Sequence, residues 1–184
     1  MSSEPVPPPK PRDAFVDRLL AIEQRRDRAS LGRLRRGAGR PAGSVPEASS
    51  VVFPLLPPEL RRPWEVNDCW LVATLFSLHP RSARPGKEEN LGATLARLDR
   101  KKVGGAERHI MAILGAHRED LDAHLRRVVL LARSHEVAID YHRLLRDLRW
   151  WTTDTGNVQR AWSLDFWAGD LSNDPSTTEG AQSP

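Results

Sequence analysis

One cysteine, Cys69, is all that the 184 residues contain, which excludes an intramolecular disulfide framework and a cysteine-based zinc ribbon. Glycine and proline, 12 and 15 residues, are too few and too aperiodic for a fibrous protein. No run approaches the roughly 18 consecutive apolar residues that a membrane-spanning helix requires. The opening MSSEPVPPPKPRD lacks the apolar stretch of a secretory signal, so a soluble, cytoplasmic protein is expected. Walker A, GxGxxG and GxSxG motifs are all missing. His117, Asp120 and His124 recur at i, i+3 and i+7 on one predicted helical face, but no HExxH pair accompanies them, so no metal or other cofactor is expected. Cys69 lies in the most apolar predicted helix, with nothing nearby to lower its pKa, and reads as core. No reaction is legible, and the chain is expected not to be an enzyme.

Lysine is scarce as well: Lys10, Lys87, Lys101 and Lys102 leave 24 arginines among the 28 basic residues. A GC-rich genome would explain that bias, but not its distribution. Residues 165–184 carry Asp165, Asp170, Asp174 and Glu179 and no base, so residues 1–164 hold a charge of +8. Residues 10–40 alone hold ten bases against Asp13, Asp17, Glu23 and Asp27, a local +6. Charge of that density attracts a polyanion, and nucleic acid is the usual one.

Residues 1–11 are proline-rich and read as a disordered tail. From Arg12 the pattern turns helical, with Phe15, Leu19 and Ile22 at i, i+4 and i+7. Ser30 is the expected N-cap of a short second helix carrying Leu31 and Leu34. Residues 37–50 read as a loop, and Pro54, Pro57 and Pro58 forbid a long regular helix over 53–60. A central helix is predicted from Pro63 to His79, apolar over most of its circumference. Asn90 caps the next, and the connection over residues 100–105 is the expected boundary between an N-terminal helical subdomain (12–104) and a C-terminal bundle (105–168). Further helices are predicted over residues 107–117, 119–134, 140–151 and 157–167, followed by a disordered acidic tail over 169–184. No alternating run calls for a strand, so the fold class is all-α: two small packed helical bundles.

Two of these helices combine a buried stripe with basic residues. Over 140–151, Tyr141, Leu144, Leu145, Leu148 and Trp151 form one face, and Arg143, Arg146 and Trp150 fall opposite at 100° per residue. An indole between guanidinium groups suits a base or a protein partner; Trp150 packed on a neighbouring helix is the alternative. Over 119–134, Leu121, Leu125, Val128 and Ala132 face inward, while Arg126 and Arg133 share the outer side, the usual pattern of a solvated face. Together the two helices predict a second positive surface, separate from the N-terminal one.

Five ordered segments, DRASLGRLRRG (Asp27 to Gly37), WLVATLFSLHP (Trp70 to Pro80), NLGATLARL (Asn90 to Leu98), REDLDAHLRRVVLLARSHEVAIDYHRLLRDLRWW (Arg118 to Trp151) and VQRAWSLDFW (Val158 to Trp167), resemble the CasB family. This family is the small subunit of the type I-E CRISPR surveillance complex known as Cascade. The resemblance spans about residues 12–168. It departs at Ala138, where a proline is common, and at Ser163-Leu164, where a basic residue is common. It implies two small helical bundles with no catalytic role, which hold an R-loop open through basic grooves. The implied partners are the other Cascade subunits, crRNA, target DNA with its displaced single strand, and a second copy packed head to tail.

The family's basic positions carry over to Arg33, Arg35 and Arg36, to Arg126 and Arg127, and to Arg146. Charge alone adds Arg25, Arg26, Arg143, Lys101 and Lys102. Two other readings stand beside this one. A helix-turn-helix regulator would need a short turn placing a recognition helix in the major groove, and no convincing turn is present. A pure scaffold would use its arginines only against acidic protein surfaces.

Overall fold

Proline opens three of the helices in the computed structural model, which describes residues 10–82, 88–152 and 155–168. In α1 (Pro11–Gln24), α3 (Pro46–Leu55) and α4 (Pro63–Leu78) it stands at the first helical position, where its missing N–H would have had no intrahelical partner. Side-chain caps open three more. Asp27, Asn90 and Asp140 accept from the backbone N–H groups of Ser30, Ala93 and Arg143 at 3.0, 3.0 and 2.8 Å. They start α2 (Arg28–Arg36), α5 (Leu91–Arg100) and α8 (Tyr141–Arg149). Left-handed Gly105 and Gly156 precede α6 (Ala106–Leu114) and α9 (Asn157–Trp167), and α7 (Leu121–Ser134) completes the set. No strand occurs among the described residues; Ser82 and Ile139 form an isolated bridge. The fold is all-α, as expected.

Several boundaries differ from expectation, each for a local reason. Asp27, not Ser30, caps α2: its carboxylate accepts both the N–H and, at 2.6 Å, the hydroxyl of Ser30. The expected loop over 37–50 ends early because Pro46 starts α3 with Glu47 in its first turn. Ser49 and Ser50 fold their hydroxyls back onto the carbonyls of Val45 and Glu47. α6 stops at Leu114 before Gly115, and α7 starts only at Leu121. His117, Asp120 and His124 therefore do not share one helical face. Among the described residues no group of three His, Cys, Asp or Glu could hold a metal ion. The proposed tail over 169–184 lies outside the described residues, and of the N-terminal one only Lys10 and Pro11 are described.

α4 is the centre. Cys69, Trp70, Leu71, Val72, Ala73, Leu75 and Phe76 are all buried, and the helix touches α1, α2, α3, α7 and α8. Burial pushes the Cys69 thiol up to about 12, so it stays protonated and acts as a small apolar side chain. At the C-terminal end of α4, Tyr141 packs edge-on against Phe76 at 5.3 Å and donates its hydroxyl proton to the His79 carbonyl at 2.6 Å. Burial lowers the His79 pKa, and its neutral ring donates Nε2–H to the Val137 carbonyl at 2.8 Å.

α5 lies along α9. A β-carbon at Gly92 would sit 2.0 Å from the Trp162 carbonyl oxygen, so only glycine lets the two backbones approach this closely. Asp147 on α8 ties the same α9 residue in place, accepting from Trp162 Nε1 at 2.7 Å. No helix among the described residues is long and apolar enough to cross a membrane.

Candidate nucleic-acid interface

Burial of Leu31 and Leu34 fixes which side of α2 faces solvent, and Arg33, Arg35 and Arg36 remain exposed in its last turn. Their engagements differ. Arg35 donates from Nε to the Ser77 carbonyl at 2.8 Å, covering the C-terminal end of α4. Arg36 pairs with Glu47 at 2.9 Å, both side chains being largely exposed. Arg33 has no ion pair within 4 Å among the described residues.

The chain then turns through residues 37–40, held from below by Trp70. The Trp70 ring approaches Gly37 so closely that a β-carbon there would lie 2.8 Å away, and its Nε1–H donates to the Arg40 carbonyl at 2.9 Å. Arg40 is itself exposed. α7 reaches the same place from the other side. Its buried stripe, Leu121, Leu125, Val128, Val129 and Ala132, leaves Arg126 and Arg127 exposed. A β-carbon at Gly39 would meet Arg126 Nη1 at 2.6 Å. The guanidinium of α7 thus lies over the turn that follows α2. The positive charge of α7, expected on a separate surface, adjoins the N-terminal one.

Arg25 and Arg26 are exposed at the other end of α2, about 13 Å away for nine residues at 1.5 Å each. Arg26 adopts a left-handed φ of 55°. Lys101 donates its ammonium to the His135 carbonyl at 3.3 Å, where a cation favours the C-terminal end of α7. Lys102, also left-handed, lines a shallow depression with Asp99, Glu107 and Arg108.

Arg143 and Arg146 are placed differently. Arg143 holds Asp147 from Nε at 2.8 Å and approaches Glu88 at 4.0 Å; Arg146 bonds Glu88 at 3.0 Å. The hydrogen bond and charge of Arg146 hold the Glu88 carboxyl below its ordinary range. These two guanidinium groups are matched by carboxylates of the same chain, and a matched charge adds little to the attraction of a distant polyanion. The Arg149 guanidinium lies 5.0 Å from the centroid of the Trp150 indole.

Sequence reasoning passed over Arg40, Arg149 and the pair formed by Arg118 with the buried Asp68. The LRWW string offered a signal for Arg149; nothing in the sequence joins Arg118 to a residue fifty positions earlier.

The sequence matches the family model of CRISPR-associated protein Cse2 over residues 30–167. A CRISPR-associated protein Cse2 of Thermus thermophilus is 31% identical over 173 residues, covering 92% of this chain and 97% of that one. The crystal structure of a Cse2-family protein from the same organism superposes with a TM-score of 0.74 at 28% identity, covering 87% of this chain and 99% of that chain. A chain of a CRISPR RNA-guided surveillance complex superposes at 0.71 with 30% identity, covering 88% and 95%.

Proposed function

We propose that this chain, which belongs to the CRISPR-associated Cse2 (CasB) family, is a non-catalytic small subunit of a type I-E Cascade surveillance complex that grips nucleic acid strands by their backbones. A relative of similar length and fold is a chain of a CRISPR RNA-guided surveillance complex, which supports other complex subunits and crRNA as partners; a second copy is the further partner that the family resemblance implies. Target DNA and the displaced single strand are the strands to be held. The guide RNA reads sequence by base pairing, so this subunit needs phosphate contacts and no base-edge code. Exchange of duplex DNA for a heteroduplex is close to balanced in energy. A few arginines that make the displaced strand less free are therefore enough to decide whether the loop persists.

The observation that carries the reading is Arg126 lying over Gly39, which joins the end of α2 to α7. Arg33, Arg40, Arg126 and Arg127 are the leading contacts, with Arg25, Arg26, Arg35, Arg36, Lys101 and Lys102 around them. Arg143 and Arg146 are assigned to holding the fold. Reconstituting the complex with Arg33→Glu and Arg126→Glu tests this. Normal assembly with a reduced yield of R-loops is expected. Normal assembly with unchanged R-loop yield would leave a pure protein scaffold.

A further inference from the structure

Trp70 is 3% exposed and belongs to the central helix α4, yet one edge of its indole holds a piece of the surface. Residues 37–40 leave α2 as a turn, closed by the Arg40 N–H donating to the Gly37 carbonyl at 3.1 Å. Its third residue, Gly39, holds a positive φ, which favours glycine. The Trp70 edge meets both ends of this turn. A β-carbon at Gly37 would stand 2.8 Å from Cζ2, and Nε1, on the same ring edge, donates to the Arg40 carbonyl at 2.9 Å. Ala48 of α3 and Thr74 of α4 wedge the Gly37 end further, 2.9 and 3.1 Å from the same β-carbon position. Among the described residues no other side chain hydrogen-bonds residues 38–40. A buried indole N–H needs an acceptor, and here the acceptor is the backbone of an exposed basic residue.

Two arginines depend on the turn. Arg40 is part of it, with its side chain exposed. Arg126, exposed on α7, lies against its crest: a β-carbon at Gly39 would meet Nη1 at 2.6 Å and Cζ at 3.4 Å. A shift of the turn therefore moves the first guanidinium directly and takes away the surface beneath the second. Arg33 stands on the regular helix α2 and has no such dependence.

We infer that Trp70 is a positioning residue for strand binding. It touches no nucleic acid itself; it fixes the 37–40 turn so that Arg40 and Arg126 present their guanidinium groups next to one another. This assignment rests on the proposed gripping of strands by the α2–α7 face. Ordering the backbone beneath an arginine before a strand arrives removes part of the entropy cost of binding. A side chain that only filled the core would need the volume of the indole and not its donor.

The full-length protein, titrated with a fluorescent oligothymidylate at low salt, tests the assignment. Replacing Trp70 with 3-benzothienylalanine keeps the shape of the indole and exchanges its N–H for sulfur; Trp70→Phe removes the N–H and the Cζ2 edge together. Each should weaken binding about fivefold. In an Arg33→Ala background the change at position 70 should keep its full effect. In a background carrying both Arg40→Ala and Arg126→Ala it should cost nothing further, the non-additivity expected of a residue that acts through others. The same loss in both backgrounds would overturn the assignment and make Trp70 a core residue alone. Wild-type affinity in the benzothienylalanine protein would overturn it too, and either result leaves the proposed function standing. Absence of oligothymidylate binding by wild type would remove both.

Discussion

The guanidinium of Arg126 rests on Gly39 in the α2–α3 turn, which holds a φ of +73°. A side chain at Gly39 would meet two penalties: the left-handed backbone costs an L-residue about 1 kcal/mol, and the β-carbon would displace the Arg126 tip. Gly39→Ala should therefore lower stability modestly and weaken oligonucleotide binding, although no charge has changed. Anisotropy titration at fixed salt checks this. Affinity equal to wild type would mean that the placement of Arg126 over the turn has no part in binding.

The arginines should separate by their salt dependence. An arginine that contacts a phosphate on a single strand contributes about 0.7 to the slope of log affinity against log salt. Arg33→Ala and Arg126→Ala should each flatten the slope by about that amount. Arg146→Ala should leave it nearly unchanged, because Arg146 is occupied by Glu88 at 3.0 Å. A flattened slope in the Arg146 variant would show that the pair opens to receive a phosphate.

What was legible in the sequence follows from the range of the forces involved. Caps and periodic apolar stripes act over three or four residues, so Asn90, Asp140 and the bounds of α4 and α9 are readable directly. α3 was missed because its two prolines suggest a loop, whereas Pro46 at the first helical position starts a helix and Pro54 falls in its last turn. The site was half visible. Charge density located the basic residues, but whether an arginine is spent on a carboxylate depends on contacts far apart in sequence. Arg146 with Glu88, 58 positions away, and Arg126 with Gly39 are such contacts. Periodicity places Arg143 and Trp150 on one side of α8 and is silent about which cation covers the indole.

Two glycine-to-alanine substitutions should have opposite signs. Gly92→Ala drives a β-carbon to 2.0 Å from the Trp162 carbonyl, and backbone cannot yield as a side-chain tip can. The α5–α9 contact would open at a cost of roughly 3 kcal/mol or more, the upper range for overpacking. At Gly32, inside α2, a β-carbon meets nothing within 4 Å. There alanine should add about 0.5–1 kcal/mol by restricting the unfolded chain and favouring helix. Thermal or urea denaturation of both variants checks this, and a stable Gly92→Ala protein would contradict the packing of α5 on α9.

Trp162→Phe should produce a defect that depends on pH. Asp147 is buried and accepts from Trp162 Nε1 at 2.7 Å and from Arg143 Nε at 2.8 Å. Burial raises its pKa above the ordinary 3.8, and the Trp162 and Arg143 hydrogen bonds oppose that rise. A carboxyl whose folded pKa is raised binds its proton more tightly in the folded protein. Its contribution to stability is therefore fully present below the ordinary value and lost as pH rises through the folded one. Phenylalanine removes the donor, which raises the folded pKa further and leaves an ionised, buried carboxylate with one partner fewer. Near neutrality the loss of the hydrogen bond and of part of the indole volume should cost roughly 2–4 kcal/mol. As pH falls through the variant's folded pKa, Asp147 takes up its proton and the hydrogen-bond share of that cost disappears, while the packing share stays. Urea denaturation of wild type and Trp162→Phe near neutrality and near the ordinary carboxylate range separates the two shares. A difference between the proteins that is the same at both pH values would mean that Asp147 does not depend on the Trp162 donor.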